Sequence, residues 1–306
     1  MGSILVIKLS ALGDVVQTNG AIHDIREHHL HDRITVMTAP PYQRFMEKCP
    51  WVDDVLIDYR PSLVNLSGIL KLRKRIKAGN FDRVYDLQQK LRTRLYYRWL
   101  FPRVEWFGDV KGGTVFLKQD EIKTCAPDRL ARMLKLGGIT VRHTMNNDVS
   151  WMADPVEEIL AGAGITNSYI VLIPGASAAH PGKRWPYFKE LAMRIEAHGK
   201  QVVTVPGPDE MELCRSMPGK MLVPEKGYYD FFKLAGIVKN ASYVIGNDTG
   251  PTHIAANVGC KGLALYGAHA TPERTGIQLT GFSWMQKENL ADLSVDAVWE
   301  HISGLI

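Results

Sequence analysis

With 306 residues, 45% of them hydrophobic and 23% charged, the chain has the composition of a soluble globular protein of roughly two domains. No apolar run approaches the ~18 residues of a membrane span, and the start Met-Gly-Ser-Ile-Leu-Val-Ile-Lys is too short and strand-like for a signal peptide, so a cytoplasmic location is expected. The net charge of +5 hides an asymmetry: residues 1–150 hold 24 basic against 16 acidic side chains, and residues 151–306 hold 13 against 16, so the first half is the one suited to an anionic partner.

Short apolar strands alternate with amphipathic helical stretches, the pattern of an α/β protein with parallel sheets. Strands are predicted at Ile4–Leu9, Ile34–Thr38, Val55–Ile57 and Val84–Leu87, with helices over Val15–Glu27, Leu63–Ala78 and Leu91–Leu100. Asn146–Asn167, with Pro155, Gly162 and Gly164, reads as a linker. Beyond it come strands at Tyr169–Ile173, Gln201–Val205, Tyr243–Ile245 and Leu263–Tyr266, and helices over Pro186–His198, Glu210–Met217, Tyr229–Lys239, Pro251–Val258 and Val295–Ile302. The four cysteines lie far apart with no metal-ligand spacing and read as reduced core residues.

Two nucleotide motifs are excluded. No GxGxxG follows the first strand, and in GASAAHPGKRW six residues separate Gly175 from Gly182 where a Walker loop has four, with Arg184 in place of the magnesium-binding Ser or Thr. No two aspartates stand two apart, so a DxD metal pair is absent and no metal or cofactor is expected.

Three stretches carry the chemistry. YVIGNDTGPTHIAANVG is a strand, a turn and a helix opening with Pro251, whose free N–H groups and dipole suit a phosphate. A cap alone requires neither Asp248 nor His253. In IPGASAAHPGKRWPYFKELA, Lys183 and Arg184 precede a helix, a position unfavourable to cations unless an anion joins them. Finally, KLRKRIK sets Lys71, Arg73, Lys74, Arg75 and Lys77 on one helix, with Arg92, Arg94 and Arg98 on the next. This is a solvated face or a seat for an anionic sugar acceptor. The aromatic interleaving of a single-strand binder is missing, which argues against nucleic acid.

With these residues in hand, the chain resembles the ADP-heptose:lipopolysaccharide heptosyltransferases of glycosyltransferase family 9. ILVIKLSALGDVV looks like that family's opening, GASAAHPGKRWP its central loop, GNDTGPTHIAA its most specific stretch, YDLQQKLRT its acceptor-side Asp-x-Gln motif and GAHATPERTG the segment after the last donor-domain strand. The resemblance implies a GT-B fold: two Rossmann-like domains facing across a cleft, with 1–150 binding the acceptor, 151–306 the nucleotide sugar, and the last helix packing back on the first domain. It also implies an inverting, metal-independent transfer of heptose from ADP-heptose to an anionic lipid A core acceptor, at or near the inner face of the inner membrane.

By matching position, Asp14 becomes the general base and Lys183 holds the donor phosphates. Asp248, Thr249, Gly250 and His253 hold sugar and diphosphate, Arg184 adds charge against the departing diphosphate, and Glu212 meets the nucleoside with Glu210 as its rival. Gln88, Lys90 and Arg92 join the Lys71–Arg75 face on the acceptor side. Asp14 as a simple helix cap is the competing reading. The alternatives in function are a GT-B transferase for another nucleotide sugar, a sugar-nucleotide epimerase using His253, and a non-catalytic nucleotide or glycan sensor. The Lys90-Leu91-Arg92-Thr93 continuation and the short tail after GFSWMQKENL depart from the commoner family pattern.

Overall fold

The computed structural model describes every residue except 63, 102–103, 118–124, 166–167 and 177–180. Leu63, the expected start of a helix, and residues 177–180 of the central loop therefore lie outside the described residues. The chain divides into two compact units, Met1–Asn147 and Asp148–Ile306.

In the first unit, six parallel strands, β1 (Ser3–Ile7), β2 (Arg33–Thr38), β3 (Asp54–Ile57), β4 (Arg83–Asp86), β5 (Glu105–Gly108) and β6 (Val115–Phe116), lie in the order β3-β2-β1-β4-β5-β6. The helices are α1 (Leu12–Gln17), α2 (Asn19–His28), α3 (Gln43–Lys48), α4 (Leu66–Ala78), α5 (Leu91–Leu100) and α6 (Ala126–Leu136). The continuous apolar run Ile4–Ile7 is what a central parallel strand covered on both faces requires. Its register sets Ile7 beside both Met37 and Asp86. Leu5, Ile7, Val84 and Trp106 pack against Leu72 and Ile76 of α4 and Tyr96 and Leu100 of α5, each buried aliphatic contributing about 1.5–3 kcal/mol.

The single helix expected over Val15–Glu27 is two. In a continuous helix the Gly20 N–H would donate to the Val16 carbonyl. Instead the Asn147 amide sits between them: Gly20 N donates to its Oδ1 at 2.6 Å and its Nδ2 donates to Val16 O at 3.0 Å. A side chain inserted into the ladder is a recognised cause of a helix break. Position 20 must be glycine, because a Cβ there would stand 2.1 Å from the carbonyl oxygen of His143.

The second unit repeats the plan with β7 (Tyr169–Ile173), β8 (Gln201–Thr204), β9 (Lys220–Met221), β10 (Tyr243–Asn247), β11 (Gly262–Tyr266) and β12 (Ser283–Gln286), in the order β12-β11-β10-β7-β8-β9, all parallel. Its helices are α7 (Glu157–Gly162), α8 (Phe188–Ala197), α9 (Met211–Arg215), α10 (Phe231–Lys239), α11 (Gly250–Asn257), α12 (Pro272–Thr275) and α13 (Val295–Ile302). The last helix, α13, enters this unit's own core: Val298, Trp299 and Ile302 cluster with Leu191 and Ile195 of α8 and the β7, β10 and β11 side chains.

Most of the expected linker is folded. Residues after Asn147 form a 3₁₀ turn, Ser150–Met152, then α7. Asp154 N donates to Phe232 O, and Lys233 Nζ donates to Pro155 O, which docks the segment on α10.

Strand order reverses between β1 and β4 in the first sheet and between β7 and β10 in the second. At such switch points the loops leaving the carboxyl ends of the strands part and leave a crevice for ligands.

Candidate active site

At the second unit's switch point the side chains are fixed from the core outward. Asn247, the last residue of β10, is fully buried. Its Nδ2 donates to the carbonyls of Pro174 and Gly175 at 2.9 and 3.2 Å, and its Oδ1 accepts from Trp185 N at 3.0 Å. That one amide ties the loop after β7 to the segment carrying Lys183 and Arg184. Trp185 is anchored further by donating its Nε1–H to Leu293 O at 2.7 Å.

Asp248 is next in the chain and only 6% exposed. Lys183 Nζ and His269 Nε2 approach its Oδ2 at 3.2 and 3.1 Å, and His253 Nε2 approaches Oδ1 at 3.1 Å. Burial by itself raises a carboxyl pKa, but the hydrogen bond and charge of His253 and those of Lys183 prevail and hold Asp248 well below the ordinary carboxylate range. A buried carboxylate with three nitrogen partners is a hub: it aligns a cation and two imidazoles.

The turn Asp248-Thr249-Gly250 leads into α11, with Thr249 as N-cap and Pro251 in the first turn. Thr249 makes no side-chain cap hydrogen bond, and the first-turn N–H groups of a helix have no acceptor within the helix. Gly246 lets the helix lie close on β10, since a Cβ there would meet Thr252 Oγ1 at 2.4 Å. A lysine, two imidazoles and a helix N-terminus at one carboxyl-end crevice are the elements of a phosphate seat.

Lys183 and Arg184 do not stand at a helix N-terminus as expected. Helix α8 starts at Phe188, and Lys183 lies in a 3₁₀ turn, Pro181–Lys183. Its charge is balanced by Asp248 rather than opposed by a dipole. Arg184 turns inward and donates Nη2–H to Ala176 O at 2.8 Å.

Glu212 and Glu210 part company. The Glu212 side chain is 89% exposed and pairs with Arg215 at 2.5 Å on α9. Glu210 folds back on its own loop after β8, where its Oε2 accepts from Gly207 N at 2.9 Å, and its carboxylate reaches Gly175 in the loop after β7. A Cβ on Gly175 would collide with this carboxylate at 1.6 Å. Of the two, Glu210 stands beside the crevice.

In the first unit Asp14 is the third residue of α1, with a side chain 54% exposed. It faces Lys8 Nζ at 3.8 Å and accepts from Ala11 N at 3.4 Å. It thus caps its own helix and still presents a carboxylate oxygen to solvent. Lys8, the residue after β1, is 5% exposed. Burial lowers its pKa, against the opposing pull of Asp14 and Asp86.

Asp86 ends β4, fully buried, and its Oδ1 accepts from the N–H groups of Gln88 and Gln89 at 3.0 and 2.9 Å. Burial lifts its carboxyl to about 6, although Thr93, those two N–H groups and Lys8 pull the other way. The turn it braces holds Gln89 at φ 48°, a left-handed conformation uncommon for a residue other than glycine. Gln88 Oε1 accepts from Leu9 N and Ser10 N at 2.9 and 3.1 Å and so holds the loop that delivers Asp14.

Comparison with known proteins gives the family. Residues 69–294 match the family described as glycosyltransferase family 9 (heptosyltransferase). The chain belongs to that family. Lipopolysaccharide heptosyltransferase 3 of Escherichia coli is 32% identical over 289 residues, which cover 84% of this chain and 81% of that protein. The protein of the same name from strain K12 is 26% identical over 224 residues, covering 66% of this chain and 63% of its own length. The crystal structure of the glycosyl transferase family 9 from Veillonella parvula superposes with a TM-score of 0.84 at 23% identity, over 99% of this chain and 96% of that one. E. coli heptosyltransferase WaaC with ADP-2-deoxy-2-fluoro heptose gives 0.71 at 18% identity, over 98% and 99%. The fold of this family 9 heptosyltransferase is GT-B.

The basic side chains of the family 9 chain divide into engaged and open ones. Lys71 and Lys74 on α4 and Lys90 before α5 are exposed, and Arg73 is half-buried. Arg75 is exposed but donates to Ile57 O at 2.8 Å. Arg92 donates to Tyr96 Oη and Pro61 O at 2.7 and 3.0 Å, and Tyr96 passes the chain to Asp58 Oδ2 at 2.6 Å. Arg75 and Arg92 thus hold local structure, while Lys71, Lys74 and Lys90 have their charges in solvent. Among the described residues no helix is long and apolar enough to cross a membrane.

Sequence reasoning missed His269 and Asn247. GAHATPERTG contains His269, and a histidine on a loop after a strand at a carboxyl-end crevice was the available signal. Asn247 carried none, because its role is to bind main-chain groups that only the fold brings together.

Proposed function

We propose that the chain transfers heptose from ADP-heptose to a Kdo- or heptose-containing lipid A core acceptor, inverting C1 of the sugar and using no metal ion. The observation that carries this reading is the Lys183–Asp248–His253–His269 cluster at the mouth of α11. It offers a diphosphate positive charge and N–H donors, a stabilisation that a bound cation would otherwise supply.

In the transfer, Asp14 accepts the proton of the acceptor hydroxyl as that oxygen bonds to C1. The bond between C1 and the β-phosphate oxygen breaks, and ADP leaves with the electron pair. Lys183, His253 and the Gly250 end of α11 hold the charge developing on ADP, with Arg184 and Thr249 beside them. Asp248 aligns this group, and Glu210, rather than Glu212, meets the nucleoside. On the acceptor side Lys71, Lys74 and Lys90 meet anionic sugar groups, with Arg73, Arg75, Gln88 and Arg92 shaping that face. The basic first unit suits a cytoplasmic protein resting on the anionic inner face of the inner membrane.

The test is nucleotide preference. Ligand bound only to the native state raises the melting temperature, so ADP is expected to stabilise the protein more than UDP, GDP, CDP or dTDP. A preference for another base would remove heptose from the reading, and no shift with any of them would favour a non-catalytic protein.

A further inference from the structure

On the first unit, the outer faces of α4 and α5 carry apolar side chains that the transfer does not use. Leu72 and Ile76 of α4 and Tyr96 and Leu100 of α5 pack into one core cluster with Leu5 and Ile7 of β1. Both helices therefore cover the same side of the sheet and turn their opposite faces to solvent. On α4 that face runs through Leu66, Leu70, Lys74 and Lys77, all exposed and spaced i, i+4, i+8 and i+11. Leu66 is 68% and Leu70 52% exposed, and Val64, just before the helix, is 92% exposed. On α5, Leu91 and Trp99 are exposed as well.

The two helices are tied at one end. Arg92, in the first turn of α5, donates to Pro61 O at 3.0 Å, and a Cβ on Gly68 of α4 would meet Pro61 Cβ at 2.7 Å. The first turns of both helices, with Leu66 and Leu91, thus meet beside Pro61. Tyr59, two residues earlier, is exposed too, and the Arg75 guanidinium lies 6.0 Å from its ring centroid. This is the carboxyl end of the sheet, where β3 and β4 finish and where the loop after β1 delivers Asp14. The charge around it has one sign. Residues 59–81 hold six basic side chains and no acidic one, and residues 87–101 hold four and none.

Protruding leucines in an unbroken positive field call for a partner that is anionic and apolar at once. Nucleic acid would meet the cations and leave the leucines in water. A phospholipid bilayer meets both: leucines enter the acyl boundary while lysine stems lie along it and keep their charges among the headgroups. We propose that the outer face of α4 and α5, led by Val64, Leu66, Leu70 and Leu91, docks on a bilayer of anionic phospholipid. The proposal rests on the reading of a lipid-borne acceptor for its purpose, and names the surface that makes the contact. Docked so, the end of the sheet that carries Asp14 lies at the level where a lipid acceptor emerges.

The experiment is cosedimentation of the full-length protein with phosphatidylglycerol vesicles, with phosphatidylcholine vesicles as control and neither donor nor acceptor present. Binding to phosphatidylglycerol that weakens with salt is expected. The double change Leu66→Ser with Leu70→Ser should weaken it about tenfold or more and leave the ADP-induced thermal shift as it was. Leu91→Ser gives the same reading should the double variant melt early. Met193→Ser, at an exposed apolar position on α8 of the second unit, should change nothing. No vesicle binding, or binding that both leucine variants retain, would overturn the surface. So would a dimer in sedimentation velocity that the leucine changes dissolve while lipid binding persists, which would give the face to a second copy of the chain. Vesicle binding without any ADP shift would leave the surface standing and remove the transfer reading instead.

Discussion

Lys183 and Asp248 are 65 residues apart in the chain and meet at 3.2 Å on the second sheet's switch point. Neither position is comfortable alone. The carboxylate is buried, and the lysine sits over a crevice that also receives a helix N-terminus. Paired, they leave the ammonium held in place with hydrogens to spare, which is how a phosphate site is organised before its ligand arrives.

Replacing Lys183 with alanine should therefore weaken ADP far more than adenosine, by about tenfold or more for a charge-assisted contact. Calorimetry with both ligands decides this, and equal losses would count against a phosphate role.

Asp248→Asn should cost stability at neutral pH and flatten the acid limb of the stability curve. The folded carboxyl lies below its ordinary value of 3.8. The unfolded chain therefore binds more protons in acid, and the stabilisation is present above about pH 4 and lost as pH falls further. Melts of both proteins down through the acid range should converge. A constant gap would mean that the charge of Asp248 is not what it contributes.

Asp14→Asn should preserve the ADP-induced thermal shift and lower turnover about 10²–10⁴-fold, the usual share of a general base. The helix cap separates the roles: the accepted bond from Ala11 N needs only an oxygen, which asparagine retains. Turnover that survives the change would leave Asp14 as a cap alone.

Asp86→Asn has the opposite pH signature. With a folded pKa of about 6 against 3.8, the native state binds the extra proton, so stability falls as pH rises from about 4 to 6 and then levels off. The attraction of Lys8 is already part of that balance. Asparagine keeps an oxygen for the Gln88 and Gln89 N–H groups, so the variant should gain on the parent across this window. A gap between the two melts that does not change with pH would refute the buried-carboxyl account.

Much of the architecture was legible because parallel strands announce themselves. Ile4–Ile7, Tyr169–Ile173 and Leu263–Tyr266 are continuous apolar runs, and each lies in a sheet interior. The edge strands β6 and β9 were not, since each is two residues long and carries no period. Helix α6 escaped notice although Leu130, Met133 and Leu134 line one face. Among site residues, the Asp248–His253 pair was readable because neither is needed for capping. The choice of Glu210 over Glu212 was not, since it depends on the loop after β7 coming to lie beneath Glu210. The basic run of α4 showed its charges but not their employment. That Arg75 would answer a carbonyl at the end of β3 is a fact of tertiary structure.

Asn147 is the last residue of the first unit, and the next residue opens the second. Its amide is also the link that interrupts the helical ladder just behind Asp14. The residue that closes the first unit thus also sets, through two hydrogen bonds, where the short rod bearing Asp14 ends and the next helix begins, much as a keystone fixes both arms of an arch.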